Sequence, residues 1–134
     1  MARSWRQFVA ESCFFFRSRD EGQTWDEGVI IGAGDYDETT ALHLGDGRWI
    51  AVARTLKVAE LRQFRSDDDG RSWQPAQVLS LPGQHSAHLL RLHDGRILLC
   101  YGNRCVGQSG IDVRVSADDG YTWSRPLRVV PSRA

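Results

Sequence analysis

This sequence has little of what marks most specialised chains. It holds one methionine, three cysteines and four prolines in 134 residues. The cysteines, Cys13, Cys100 and Cys105, form neither a C-x-x-C pair nor an even framework, and read as free thiols in or near strands. Net charge is absent: 17 Lys+Arg offset 17 Asp+Glu, so nothing in the balance calls for nucleic acid or another polyanion as partner. No apolar run approaches the roughly 20 residues of a membrane span, and no membrane partner is expected. The first residues, "MARSWRQFVAE", carry Arg3, Arg6 and Glu11 without an apolar core, so they do not read as a secretory leader, and the composition assigns no compartment. No stretch sustains a helical period, and Gly or Pro interrupts every connection.

What the sequence does have is an eight-residue phrase spelled three times. "SRDEGQTW" (18–25), "SDDDGRSW" (66–73) and "SADDGYTW" (116–123) start 48 and then 50 residues apart. Other features recur in step. "LGDGRWIAVAR" (44–54) and "LRLHDGRILLCYGNR" (90–104) each contain Asp-Gly-Arg, with Gly47 and Gly95 48 apart. Asp-Gly between apolar runs is a strong hairpin signal, because Gly accepts a positive φ. Strands are therefore predicted at 38–44, 48–54, 60–67 and 73–79, again at 86–92, 96–103, 110–117 and 123–130, and near 12–18 and 25–31. Four antiparallel strands repeated at this period describe a β-propeller blade. The fold class is all-β, a partial propeller of about two and a half blades. It reads as one segment, 1–134, divided into a partial blade (1–33) and two complete ones (34–82 and 83–134).

The phrase falls between the third and fourth strands, where its chemistry suits a tight turn. Asp20, Asp68 and Asp118 can accept turn amides, Gly22, Gly70 and Gly120 supply an unusual backbone, and the Ser/Thr hydroxyls close the loop. Trp25, Trp73 and Trp123 are expected to open the fourth strands and pack against a neighbour. Calcium is the rival use for such acidic turns. In "SDDDGRSW", however, Arg65 stands where the first carboxylate ligand belongs and no Glu occupies the twelfth position, so no metal and no cofactor is expected.

Together the three phrases resemble the Asp-box (BNR) repeats of sialidases and their relatives, which form six-bladed propellers. Six blades of this period need roughly 300 residues, so the chain resembles a portion of such a ring. Within "YDETTALHLGDGRWIAVAR" (36–54), Glu38 and Arg54 are 16 residues apart. The segment is similar to one in which a Glu opens the innermost strand and an Arg ends the second. The resemblance implies that Glu38 polarises a nucleophilic tyrosine and that Arg54 binds a substrate carboxylate. Arg104 in "YGNR" resembles a third arginine of the same anion-binding triad. The function so implied is hydrolysis of terminal sialic acid, or a related acidic sugar, by a complete propeller. The partner would be a sialylated or acidic glycan. The alternative is a non-catalytic Asp-box module that binds glycan or protein.

Blade geometry is consistent with this set. The Asp-Gly-Arg turns and the boxes lie at one end of the strands. Glu38, Ser86, Arg54 and Arg104 lie at the other. Arg48 and Arg96 belong to the turn end and are excluded from the site. Asp37 lies beside Glu38 with no role assigned. Tyr101 reads as a packed strand residue, and His85 and His88 either line the channel or pack. The resemblance also implies an early arginine, an acid/base aspartate and a nucleophilic tyrosine for which the chain offers no counterpart. The isolated chain is therefore expected to be inactive. It is also expected to self-associate through open edges, with Val29, Ile31, Ile97 and Leu99 left partly in water.

Overall fold

A computed structural model describes residues 11–131. Ten strands form three antiparallel sheets, and no helix occurs among the described residues. The first sheet pairs β1 (Cys13–Phe15) with β2 (Val29–Gly32). The second runs β3 (Tyr36–Gly45), β4 (Arg48–Thr55), β5 (Leu61–Ser66), β6 (Gln74–Val78) in order. The third repeats that meander with β7 (Gln84–Arg91), β8 (Ile97–Asn103), β9 (Gly110–Ser116) and β10 (Leu127–Pro131). This is a partial β-propeller.

Strand β4 shows why the sheets stack. Its side chains alternate, as any strand's must, yet Ile50, Ala51, Val52 and Ala53 are all fully buried. Ile50 and Val52 face the third sheet, in a cluster with Leu61, Leu79, Leu89, Ile97, Leu99 and Tyr101. Ala51 and Ala53 face the first sheet, with Cys13, Ile31, Phe64 and Trp73. Large side chains fill one interface and small ones leave room for Phe64 and Trp73 in the other. The second sheet is thus a middle layer apolar on both faces.

Each box closes the same way. In the second, Gly70 N donates to Ser66 Oγ (2.9 Å), Ser72 N to Asp68 Oδ1 (2.9 Å) and Ser72 Oγ to Asp68 Oδ2 (2.5 Å). Corresponding bonds surround Asp20 and Asp118. These donors, the Ser/Thr hydroxyls first, hold all three carboxyls down at about 2. Two consecutive residues adopt positive φ in each turn, Asp69 (61°) and Gly70 (75°) in the second box. A Cβ on Gly70 would lie 2.5 Å from the Phe15 ring, so glycine there serves the packing as well as the turn.

The boxes also clasp neighbouring sheets. Arg17, immediately before the first box, donates to the Asp69 carbonyl and pairs with its carboxylate at 2.6 Å. One repeat later Arg65 donates to the Asp119 carbonyl at 2.9 Å, and Arg48 pairs with the Asp119 carboxylate at 2.8 Å. Buried Gln63 donates to Gly120 O (2.9 Å) and accepts from Trp123 Nε1 (3.0 Å).

Two expectations need correction. Trp73 is buried beneath Phe15, but Trp25 is 62% exposed. Trp73 and Trp123 each meet the preceding sheet, through Phe15 and Gln63, and no described sheet precedes the one that carries the first box. Nor do Trp25 and Trp123 open strands: β2 starts at Val29 and β10 at Leu127, just past Pro126, which has no N–H for the ladder. Of the residues expected to meet water, Val29 is partly exposed, but the other three are not. Ile31, Ile97 and Leu99 are buried in the sheet interfaces, whereas Leu90, Ile111, Leu127 and Val130 are exposed. Their registers place Ile111 opposite Gly102 and Val130 opposite Ile111, so these side chains belong to the other face of the third sheet.

The packing sets the stability expected of variants. Trp73→Ala should cost about 3–5 kcal/mol in chemical denaturation, as removal of a buried aromatic does. The box carboxyls titrate lower folded than unfolded, so their stabilisation is complete above the ordinary carboxyl range. It should be lost as pH falls from about 4 toward 2. Asp68→Asn should flatten that acid transition in a thermal-melt series against pH.

Candidate functional site

The end of the strands opposite the boxes is held by a separate set of backbone bonds. Leu56 N donates to Asp35 O (3.0 Å), Gly83 N to Ala59 O (2.9 Å) and Arg104 N to Gly83 O (2.9 Å). These tie the β3 entry, the β4–β5 turn, the β6–β7 connection and the β8 exit into one rim. At the other end, Asp69 N donates to Gly47 O (2.7 Å), joining a box to an Asp-Gly-Arg turn. Structural turns and rim therefore occupy opposite ends.

Four side chains meet on the rim. Glu38, early in β3, is half-exposed, and Arg54, near the end of β4, approaches its Oε2 at 3.4 Å. Ser86 of β7 donates its hydroxyl to the same Oε2. His85 places Nδ1 3.9 Å from that oxygen, beyond hydrogen-bond range. Glu38 and Arg54 come from the second sheet, while His85 and Ser86 come from the third. The juxtaposition follows from β3 packing against β7, with Leu89 N and Thr40 Oγ1 3.5 Å apart farther along the two strands.

Arg104 follows β8 at the same rim. It is exposed, and its guanidinium has no hydrogen-bond partner among the described residues. It lies close enough to bear on the charge of His85. Asp37 is exposed beside Glu38 and no bond of its carboxylate ties it to the site. Tyr101 is buried in the inter-sheet core, where burial pushes its phenol upward. Arg48 and Arg96 lie at the opposite end, paired with Asp119 and Asp94.

The electrostatics of the rim centre on one carboxylate held by neighbouring donors. The Ser86 hydroxyl, then Arg54, hold the Glu38 carboxyl below its usual range, so it is ionised at neutral pH. Burial pushes His85 down, and Arg54 and Arg104 push it further, so the ring is neutral there. The Nε of Arg54 and the Nδ1 of His85 are both buried without a partner. The spacing of Glu38 and Arg54 was visible in the sequence. The contributions of His85 and Ser86 were not, since only inter-sheet packing brings them to Glu38.

With the geometry in view, comparison with known proteins is direct. The profile of the BNR repeat-like domain matches residues 4–133. The chain belongs to that family. Its fold is that of a partial sialidase-like BNR propeller. The α-L-arabinofuranosidase Arb93A of Fusarium graminearum, in complex with an iminosugar inhibitor, is similar over 86% of this chain and 34% of its own, at TM-score 0.59 and 17% identity. The complex of the GH93 α-L-arabinofuranosidase of that organism with arabinobiose is similar over 67% and 30%, at 0.58 and 18%. The Hadza microbial sialidase Hz136 is similar over 84% and 30%, at 0.57 and 20%. The chain thus spans about a third of the length of these structures. No curated protein matches the sequence.

A half-exposed ion pair contributes at most about 1 kcal/mol after solvent screening. Glu38→Gln should therefore leave the denaturation midpoint of this BNR segment almost unchanged, whereas the buried-core variant Leu99→Ala should cost about 2–5 kcal/mol. Parallel urea titrations of the two proteins measure the contrast.

Proposed function

We propose that this segment supplies the carboxylate-reading part of a sialidase-like glycoside hydrolase site, acting on terminal sialic acid or a related acidic sugar within a complete propeller. One observation carries the reading: two arginines and an ionised glutamate share the rim opposite three structural boxes. A guanidinium fork binds a carboxylate bidentately with charge-assisted bonds. Arg104, with no side-chain partner among the described residues, is the primary reader, and Arg54 can offer the substrate carboxylate the N–H groups that it does not use on Glu38. A sugar that carries a carboxylate at its reacting carbon would repel a carboxylate nucleophile. Tyrosine chemistry with Glu38 as the base is the arrangement that avoids this. The arabinofuranosidase resemblance supports a glycosidase fold, but a neutral pentose gives the two arginines no anion to bind.

The alternative reading, a non-catalytic binding module, shares the rim and differs in chemistry. In either case the 134-residue chain alone should not turn over a fluorogenic sialoside, since among the described residues no tyrosine is brought to Glu38 as nucleophile and no second carboxylate joins it as proton donor. The exposed face of Leu90, Ile111, Leu127 and Val130 should make it self-associate at high concentration.

Saturation-transfer NMR on the isolated chain tests the binding claim. N-acetylneuraminic acid should give a signal that Arg104→Ala and Arg54→Ala each reduce at least about tenfold in affinity, the scale of one lost charge-assisted contact. Its methyl ester and L-arabinose should give little. Equal signals from the acid, the ester and arabinose would overturn the proposal.

A further inference from the structure

Among the described residues, every polar group near the Glu38 carboxylate lies toward one of its two oxygens. The Ser86 hydroxyl donates to Oε2, Arg54 Nη1 lies 3.4 Å from Oε2, and His85 Nδ1 stands 3.9 Å from Oε2. Oε1 has no partner among the described residues, on a side chain that is 47% exposed. From this asymmetry we propose that Ser86 is a positioning residue of the neighbouring sheet, which holds Oε2 with His85 flanking it, so that Oε1 is left as the working acceptor. The inference rests on the acidic-sugar rim described above and extends it to residues that the Glu38 and Arg54 spacing does not include.

The physical argument is one of orientation. An exposed glutamate has three rotatable bonds and presents either oxygen to solvent, so a reacting hydroxyl would meet a moving acceptor. A hydroxyl bond from one side and a guanidinium from another fix the carboxylate plane. His85 adds a wall. Its ring, 7% exposed and from a different sheet, stands 3.9 Å from Oε2, whereas no described group occupies Oε1. The charged groups facing His85 are Arg54 and Arg104, which disfavour its protonated form, and Glu38, which favours it. Burial tips the balance to the neutral ring. A neutral histidine leaves the Glu38 charge intact for the ligand side, where a protonated one would neutralise it.

The arrangement also divides labour between the arginines. Arg54 is engaged with Glu38, whereas Arg104 keeps its guanidinium free for a ligand. Ser86→Ala should then perturb Glu38 more than it perturbs carboxylate capture.

Carbon-detected NMR titration of glutamate carboxyls in the isolated chain reads this directly. Ser86→Ala should raise the Glu38 midpoint by about 1 pH unit, the usual scale for one lost hydrogen bond to a carboxylate. Ser86→Thr, which keeps the hydroxyl, should restore it, and the thermal midpoint should stay constant across both variants. In Glu38→Gln the His85 midpoint should fall further, because its one favourable charge is gone. A Glu38 midpoint unmoved by Ser86→Ala, or not restored by Ser86→Thr, would overturn the positioning assignment. N-acetylneuraminic acid binding by the unmodified chain is measured alongside. Its absence with a normal Ser86 response would remove the acidic-sugar reading and the role of Oε1 in it, and would leave the hold on Oε2 established by titration.

Discussion

The carboxylate of the box aspartate is the constraint on which the rest depends. Asp68 accepts from the amide and hydroxyl of Ser72 and from the hydroxyl of Ser66, closing a turn with two consecutive left-handed residues. That turn presents the Asp69 backbone to Arg17 and lets Phe15 approach Gly70. The third box presents Asp119 to Arg65 and Gly120 to Gln63 in the same way. A local hydrogen-bond pattern thus becomes an intersheet joint. The sheets then stack through their apolar faces, with β4 buried on both sides.

Committing one end of the strands to these joints leaves the other end free for the proposed site. The rim needs charge and some exposure, which a packing joint cannot tolerate. Glu38 is half-exposed and ionised, while the box carboxyls are saturated by turn donors. The separation also explains why Arg48 and Arg54, six positions apart on one strand, have unrelated surroundings. Arg48 pairs with Asp119 at the box end and Arg54 meets Glu38 at the rim.

Much of this was legible because the repeat is periodic. Strand positions in the two complete sheets follow from Asp-Gly turns and boxes, and the end of the strands on which Glu38 and Arg54 sit follows from the meander. Other features needed three dimensions. The burial of Gln63 gives no local signal, since its partners Gly120 and Trp123 lie a full repeat away. Ser86 and His85 reach Glu38 only because β7 packs on β3. The Arg17 and Arg65 clasps did leave a signal, an arginine directly before each of the first two boxes, 48 residues apart. The exposure of Trp25 inverts the lesson: the same phrase yields a buried ring only where a preceding sheet covers it.

The central claim is that boxes hold the fold and the opposite rim holds the ligand. Amide chemical-shift mapping of the labelled chain with N-acetylneuraminic acid tests it most directly. The account expects saturable shifts at Glu38, Arg54, His85, Ser86 and Arg104, with the amides of Gly22, Gly70 and Gly120 unmoved. Shifts centred on the box glycines, with the rim silent, would contradict it.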